Sequence, residues 1–238
     1  MKSTAYSFIT ILAALVMALG LASCAHTKEQ KAEADALYKM GMSSLLSGNP
    51  NAAFAKFHQA LKFDPDNTDI HNALGHANIM LADFQAAERN FKTAVEKDIN
   101  NADAWKNLCY AQYLRADYKA AVNSCNKTLE IKTYETPEKA YYNLGRIYFK
   151  MKRYEDSIYN FEMAIKRYPT FFQAHYAMAL TYNAMGKRAE AKKALTDAVD
   201  IDPALLGDKK LAEETFRKAR AKAEDPKELN TYIEILHY

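Results

Sequence analysis

The sequence has few of the residues that build turns. Its 238 residues include 7 Gly, 6 Pro, 3 Cys and 1 Trp. So few Gly and Pro argue against a turn-rich β-sandwich or barrel, and they leave no Gly-rich loop to hold the phosphates of a nucleotide. The formal charge of +3 is small and spread along the chain, whereas nucleic-acid-binding proteins usually concentrate basic residues on one face. We therefore expect no nucleic-acid partner.

Aromatic and apolar residues are abundant instead. The chain has 16 Tyr and 11 Phe, is 49% hydrophobic and carries 26% charged residues. That balance is typical of a folded chain rather than a disordered or fibrous one. Together with the shortage of turn residues, it predicts a helical protein whose contacts are largely aromatic.

Residues 1–23 have the pattern of a signal peptide. Lys2 provides a positive start, and the apolar run that follows over residues 8–21 is shorter than the ~20 residues that a membrane-spanning helix needs. Residues 21–24 read Leu-Ala-Ser-Cys, which resembles the bacterial lipobox. The resemblance implies that the chain is cut before Cys24 and that lipid is attached there. Because Ala25 stands where Asp would retain the protein in the inner membrane, it also implies an outer-membrane location, facing the periplasm. The alternative is an ordinary secretory cleavage site with a chance Cys.

Residues 34–205 repeat with a period of 34 residues. The blocks begin at Ala34, Thr68, Ala102, Glu138 and Phe172, and two extra residues are inserted near residues 133–137. Position 8 of the blocks is small: Gly41, Gly75, Cys109, Gly145 and Ala179. Position 24 is mostly large: Phe57, Phe91, Cys125, Phe161 and Leu195. Small residues opposite large ones are what two closely packed helices require.

This pattern resembles the tetratricopeptide repeat. The resemblance implies an all-α fold, a right-handed superhelical solenoid of helix hairpins, with five repeats over residues 34–205. We expect residues 24–33 to form a polar tether and residues 206–238 to form a capping helix pair or a degenerate sixth repeat that closes the apolar end of the stack. Within that last segment, Asp208 is expected to cap one helix and Pro226 to begin another.

Two cysteines are expected to face each other. Cys109 and Cys125 are symmetric about the turn near Asp117, so an antiparallel hairpin places them opposite one another. In an oxidising periplasm this predicts a disulfide that stabilises the fold by ~3 kcal/mol. The alternative is a pair of small buried thiols.

The sequence shows no pattern of catalytic or metal-binding residues. His71 and His76 are five residues apart, which is not the i, i+4 spacing of a helical metal pair. His71 and His175 both occupy block position 4, where an aromatic side chain packs. Since the nucleophile-elbow and dinucleotide motifs are also missing, we expect a protein that is not an enzyme and has no cofactor, no metal and no small-molecule substrate.

A protein-binding groove is the expected functional site. The first helix of each block should line the concave side of the solenoid, and its side chains there are rich in Tyr, Met and Phe, as interface cores are. The predicted groove residues are Tyr38, Met42, His76, Ile79, Lys106, Tyr110, Tyr113, Tyr142, Arg146, Phe149 and Tyr176. A second hypothesis is the clamp for a C-terminal carboxylate that some tetratricopeptide domains have. Its incomplete candidate set is Asn107, Lys139, Asn143 and Arg146.

The lipobox, the repeats that follow it and the insertion together resemble the pilotins of type IV pili, the PilF, PilW and Tgl group. Residues 133–138 read Thr-Tyr-Glu-Thr-Pro-Glu, similar to the link before a helix in that family. The resemblance implies a lipoprotein that contacts the membrane through its N-terminal lipid only and helps a secretin subunit, its protein partner, reach the outer membrane or multimerise. The alternative is a general envelope adaptor that docks peptidoglycan hydrolases or outer-membrane assembly machinery.

Overall fold

The computed structural model describes residues 28–221, 223 and 226–238, and these residues form twelve α-helices and no β-strand. This confirms the all-α fold of helix hairpins. The helices are α1 (28–46), α2 (Pro50–Phe63), α3 (Thr68–Met80), α4 (Phe84–Lys97), α5 (Ala102–Leu114), α6 (Tyr118–Glu130), α7 (Pro137–Lys150), α8 (Tyr154–Arg167), α9 (Phe172–Ala184), α10 (Arg188–Ile201), α11 (Lys209–Arg220) and α12 (Lys227–Leu236). In the described ranges, none of these helices has both the length and the apolar character needed to cross a bilayer.

Each 34-residue block holds two helices joined by a link of three residues. Helices α2 to α6 each begin directly after a residue with a short polar side chain. That side chain accepts hydrogen bonds from free N–H groups in the first turn of the helix. Such N-caps stabilise a helix by about 1 kcal/mol each. The caps of α2 to α6 are Asn49, Asn67, Asp83, Asn101 and Asp117.

The first helix is longer than the repeat requires. Residues 28–33, which the sequence assigned to a tether, are helical in the structure. Their sequence is Lys-Glu-Gln-Lys-Ala-Glu, and all of these are strong helix formers, so these six residues belong to α1 instead. The expected signal peptide (residues 1–23) and the expected lipid-bearing Cys24 lie outside the described residues.

The chain divides into two compact units, with a boundary between Asp98 and Ile99. In the first unit, the described residues form α1 to α4. Its core joins the two hairpins through buried aliphatic and aromatic side chains: Ala34, Leu37, Ala53, Phe57, Ala60, Ile70, Ala73, Leu74 and Ala77. The hydrophobic stabilisation of this unit therefore comes from contacts both within and between its hairpins.

The second unit contains α5 to α12. Helix α7 contacts α5 and α9, and α12 contacts α9 and α10. The order α5, α7, α9 and α12 therefore runs along one side of the unit. Asp208 caps α11 by accepting hydrogen bonds from the N–H groups of Lys210 and Leu211. Pro226 is the residue before α12 rather than its first helical residue.

The close approach of the two helices in a hairpin depends on the pair at positions 8 and 24. A Cβ atom added at Gly41, Gly75 or Gly145 would lie under 3.0 Å from the ring of Phe57, Phe91 or Phe161, respectively. In the third hairpin the same two positions hold Cys109 and Cys125, which the structure joins in a disulfide with their Cα atoms 5.3 Å apart. In the fifth, Ala179 and Leu195 occupy them, and both are buried.

Candidate protein-binding groove

The second unit contains an open cavity of about 440 Å³ on the side formed by α5, α7 and α9. Its walls are mostly aromatic and aliphatic, and a few charged groups point toward it. The lining residues include Tyr113, Tyr142, Arg146, Phe149, Lys150, Phe161, Gln173, Tyr176, Leu180, Asp202, Thr215, Phe216, Glu228 and Tyr232. We refer to this cavity as the groove. Its size and its mixture of apolar walls with a few polar groups are typical of binding sites.

Five of the predicted residues line the groove: Tyr113, Tyr142, Arg146, Phe149 and Tyr176. The other two predicted residues of this unit, Tyr110 and Lys106, are on α5 and do not line the groove. The ring of Tyr110 stacks on Tyr113 with 6.3 Å between centroids, so Tyr110 supports the wall of the groove. Lys106 forms an ion pair with Asp103 on its own helix.

Arg146 lies among three tyrosine rings. Its guanidinium carbon is 4.6 Å from the ring centroid of Tyr113, 5.6 Å from that of Tyr142 and 5.9 Å from that of Tyr110. Its Nη2 also donates a hydrogen bond of 3.3 Å to the hydroxyl of Tyr113. Burial acts to lower the pKa of Arg146, but the three tyrosines raise it above its usual value. Arg146 is therefore a permanent positive charge in a largely aromatic wall.

The other end of the groove is closed by the C-terminal helix pair. Phe216 of α11 and Tyr232 of α12 pack on Tyr176 of α9, with ring centroids 6.0 and 5.3 Å away. The Tyr176 hydroxyl donates to Asp202, and the Tyr232 hydroxyl donates to Glu228, each at 3.0 Å. These contacts join α9, α11 and α12 into one aromatic wall.

The hydroxyls of Tyr142, Tyr176 and Tyr232 stay protonated at neutral pH. Burial, reinforced by the Asp202 carboxylate, raises the pKa of Tyr176 above its usual value. Burial also raises the pKa of Tyr142, and burial together with the Glu228 carboxylate raises that of Tyr232. These groups therefore act as neutral hydrogen-bond donors, and the charges that face the groove come from Arg, Lys, Asp and Glu.

The remaining four predicted groove residues belong to the first unit, so the eleven residues do not form one described site. Tyr38 and Met42 of α1 are half-buried and pack against the core of that unit. On α3, Ile79 is half-buried, while His76 is exposed and places its ring edge-to-face on Phe91. Tyr38, Met42 and His76 therefore have a role in packing within the first unit.

The four candidate clamp residues are not brought together either. Arg146 lines the groove, whereas Asn107, Lys139 and Asn143 are not among its lining residues. Asn107 is only 8% exposed, and Lys139 points to solvent. The structure therefore gives no support to the hypothesis of a clamp for a C-terminal carboxylate.

Block position 4 has a repeated structural role. The ring nitrogen of Trp105 donates to the carbonyl of Ile99 at 2.8 Å, and the Nε2 of His71 lies 2.9 Å from the carbonyl of Pro65. His175 forms a similar bond to the backbone of Pro169, while burial lowers its pKa. In each case the acceptor belongs to the turn just before the helix. These rings therefore fix the turns between blocks. Separately, the described residues contain no group of three or more His, Cys, Asp and Glu that could hold a metal ion.

Among the lining residues that sequence reasoning missed are four at the closed end: Asp202, Phe216, Glu228 and Tyr232. Asp202 follows α10 directly, whereas the prediction considered only the first helix of each block. Helices α11 and α12 lie beyond residue 205, where the 34-residue register stops, so no block position indicated which side they would present. The only sequence signal was the predicted capping role of residues 206–238.

Comparisons with known proteins agree with this fold. Family models described as tetratricopeptide repeat match residues 35–67, 138–171 and 172–205. The chain therefore contains tetratricopeptide repeats, which usually form non-catalytic scaffolds for protein–protein interaction. No curated protein matches the sequence.

Several solved structures have a similar fold. MamA is 24% identical with a TM-score of 0.60, covering 77% of this chain and 98% of MamA. PilF of Pseudomonas aeruginosa is 20% identical with a TM-score of 0.67, covering 86% of this chain and 90% of PilF. PilW, described as a widely conserved type IV pilus biogenesis factor, is 20% identical with a TM-score of 0.69, covering 83% of this chain and 97% of PilW. At these identities, the likeness shows a shared fold.

Proposed function

We propose that the chain is a lipid-anchored pilotin of the outer membrane, facing the periplasm. In this role the groove of the second unit holds a segment of a secretin subunit and so helps the secretin to reach the membrane or to multimerise during type IV pilus biogenesis. The observation that carries the proposal is the aromatic cavity lined by Tyr113, Tyr142 and Tyr176.

The composition of the groove supports a protein ligand. Tyr, Phe and Arg are the residues that are enriched in interface cores and that dominate binding energy there. The tyrosine rings are held by neighbouring rings, as Tyr142 is by Phe161 and Phe171 at 5.8 and 5.2 Å. Because these side chains are already ordered, they lose little conformational entropy when a partner binds.

The pilotin assignment draws on the N-terminus and on the shared fold. Residues 21–24 read Leu-Ala-Ser-Cys, which resembles a lipobox, and residues 133–138 resemble the link of the pilotin family. The fold of this chain is also that of PilF and PilW. MamA shares it as well, so the pilus role needs a direct functional test.

The test is a pair of matched double variants. Tyr113→Ala with Tyr142→Ala removes two rings from the groove, while Tyr159→Ala with Tyr168→Ala removes two exposed rings that do not line it. Since central aromatic residues carry most of the binding energy of an interface, we expect the first pair to weaken capture of purified secretin by about tenfold or more. Detergent-resistant secretin multimers in cells should fall with it, and the second pair should behave as wild type.

Circular dichroism and thermal unfolding of both pairs control for loss of fold. If the groove pair folds and binds secretin as tightly as the control pair does, the groove is not the binding site. If it instead loses a peptidoglycan hydrolase or an outer-membrane assembly protein while secretin multimers persist, the chain is a general envelope adaptor.

A further inference from the structure

Arg146 is a positive charge in the groove without an acidic partner. Among the described residues, no carboxylate lies within ion-pairing distance of its guanidinium group, and the charges that act on it come from Tyr113, Tyr142 and Tyr110. Two other arginines of the same unit are paired with carboxylates: Arg153 with Asp156, and Arg217 with Glu213.

A guanidinium group has five N–H donors arranged in a plane, which suits the two oxygens of a carboxylate. In the structure, the Tyr113 hydroxyl accepts one of these donors at 3.3 Å, a long and weak bond. The guanidinium carbon lies 4.6 Å from the ring centroid of Tyr113 and 5.6 Å from that of Tyr142, so these rings hold the group in place. Its N–H edge therefore offers preorganised donors to a ligand in the groove.

The acidic groups that line the groove do not neutralise this charge. Asp202 accepts the hydroxyl proton of Tyr176 and also caps the N–H of Ala204, and Glu228 accepts the hydroxyl of Tyr232. Both lie at the end that α11 and α12 close, whereas Arg146 lies on α7 against α5. The groove is therefore positive near α5 and α7 and negative at its closed end.

We propose that the partner segment held in this groove carries an internal acidic side chain, Asp or Glu, that pairs with Arg146, next to an apolar side chain that fills the cavity toward Tyr176. This inference rests on the proposed function, because it assumes that the groove binds an extended segment of a protein. It adds the chemical feature, an acidic side chain that pairs with Arg146, by which the groove selects that segment.

An internal acid fits better than a chain end. Arg146 lies partway along the groove, with Tyr110 and Tyr113 on one side of it and the cavity up to Tyr232 on the other. A segment that ended with its carboxylate at Arg146 would occupy only one of these sides. A segment that passes Arg146 contacts the rings on both sides, and the carboxylate of its side chain still reaches the guanidinium group.

The probe is a phage-displayed library of random twelve-residue peptides, panned against the full chain and against Arg146→Gln. A second variant, Arg153→Gln, is the matched control: it also removes an arginine that stacks on a tyrosine, Tyr148 at 4.6 Å, but it lies outside the groove. Peptides enriched on wild type are then synthesised as Glu and Gln pairs, and their affinities are measured by fluorescence anisotropy.

We expect wild type and Arg153→Gln to enrich peptides with Asp or Glu beside an aromatic or aliphatic residue, and to prefer the Glu peptide by about tenfold or more, as a charge-assisted hydrogen bond implies. Arg146→Gln should bind both peptides within about twofold of each other. Enriched peptides without an acidic residue, or a Glu preference that survives Arg146→Gln, would overturn the inference and leave the groove as a peptide site. If wild type enriches no peptide but still captures purified secretin, the inference fails and the proposed function stands. If it does neither, both fail.

Discussion

At the scale of single residues, the turn inside each hairpin imposes one backbone conformation on three types of residue, Gly, Ala and Lys. Block position 15 has a positive φ in every repeat: 74° at Gly48, 58° at Ala82, 59° at Ala116, 59° at Lys152 and 75° at Gly186. This left-handed region suits Gly but disfavours residues with a Cβ by roughly 1–2 kcal/mol. Two repeats therefore have a relaxed turn and three have a strained one.

The first prediction follows from this difference. Ala82→Gly should raise the free energy of unfolding by up to about 1 kcal/mol, because the relief of strain exceeds the extra entropy of Gly in the unfolded chain. Ala55→Gly is the control: it makes the same change at an exposed site inside α2, where Gly should destabilise by about 1 kcal/mol. Urea denaturation measures both, and effects of the same sign would contradict the strain at position 15.

The sequence indicates only part of this turn. Gly48 and Gly186 are recognisable as turn residues, whereas Ala82 and Lys152 have the composition of a helix and give no local signal. Their φ values are set by the two helices on either side, which pack together and leave only three residues to reverse the chain. The repeat register predicts the position of the turn, and the packing of the hairpin determines its conformation.

At the scale of helix pairs, the repeats satisfy one geometric requirement in three ways. Positions 8 and 24 meet where the helices are closest, and the pair is Gly with Phe in three hairpins, Cys with Cys in the third and Ala with Leu in the fifth. Each combination fills a similar space. In the third hairpin a covalent bond takes the place of a buried aromatic ring.

We predict that these solutions can be exchanged. Cys109→Ser should lower the free energy of unfolding by about 3 kcal/mol, since it opens the loop of sequence separation 16 that the disulfide closes. Cys109→Gly with Cys125→Phe should recover most of that loss, because it installs the Gly and Phe pair of the neighbouring hairpins. Urea denaturation with and without dithiothreitol gives the measurement.

Dithiothreitol distinguishes the stability that comes from the disulfide from the stability that comes from side-chain packing. Wild type should lose about 3 kcal/mol in dithiothreitol, while the Gly and Phe variant should be unaffected. A wild type whose stability ignores the reductant, together with two free thiols by mass spectrometry, would mean that Cys109 and Cys125 act as small buried side chains.

The repeat register also determines how much of the groove the sequence reveals. Tyr113, Tyr142 and Tyr176 were predicted because their helices occupy equivalent places in successive blocks. Phe216 and Tyr232 were not, because α11 and α12 lie outside the register and their orientation depends on tertiary contacts with α9 and α10. A periodic pattern predicts repeated contacts, and it gives no information on the contact that ends the series.

At the scale of the whole molecule, the two ends of the chain have different roles. The C-terminal pair buries apolar surface that the last repeat would otherwise expose: Ile235 is fully buried and Tyr232 is 6% exposed, in one cluster with Leu195 and Val199 of α10. This is what a terminal cap of a repeat protein must do. The same helices form the closed end of the groove, so the cap also limits where a ligand can extend.

The N-terminal end carries the lipid anchor that we propose. Because α1 is helical from residue 28, no more than four residues lie between it and Cys24, counting Cys24 itself. Even a fully extended segment of four residues spans at most about 14 Å. Lipid on Cys24 would therefore hold the first unit close to the bilayer and raise the local concentration of the chain at a membrane-bound partner.

The last prediction tests this anchor. Only a thiol can form the thioether to the lipid, so Cys24→Ser should abolish acylation and leave the signal peptide uncut, whereas Cys109→Ser should be acylated and cut like wild type. Labelling with radioactive palmitate and mass spectrometry of the N-terminal peptide provide the measurement. A mature chain that begins at a residue other than 24, or that incorporates palmitate equally in both variants, would show that residues 21–24 are not a lipobox. The groove would then have to find its partner without the advantage of a shared membrane surface, and a pilotin role would lose its physical basis.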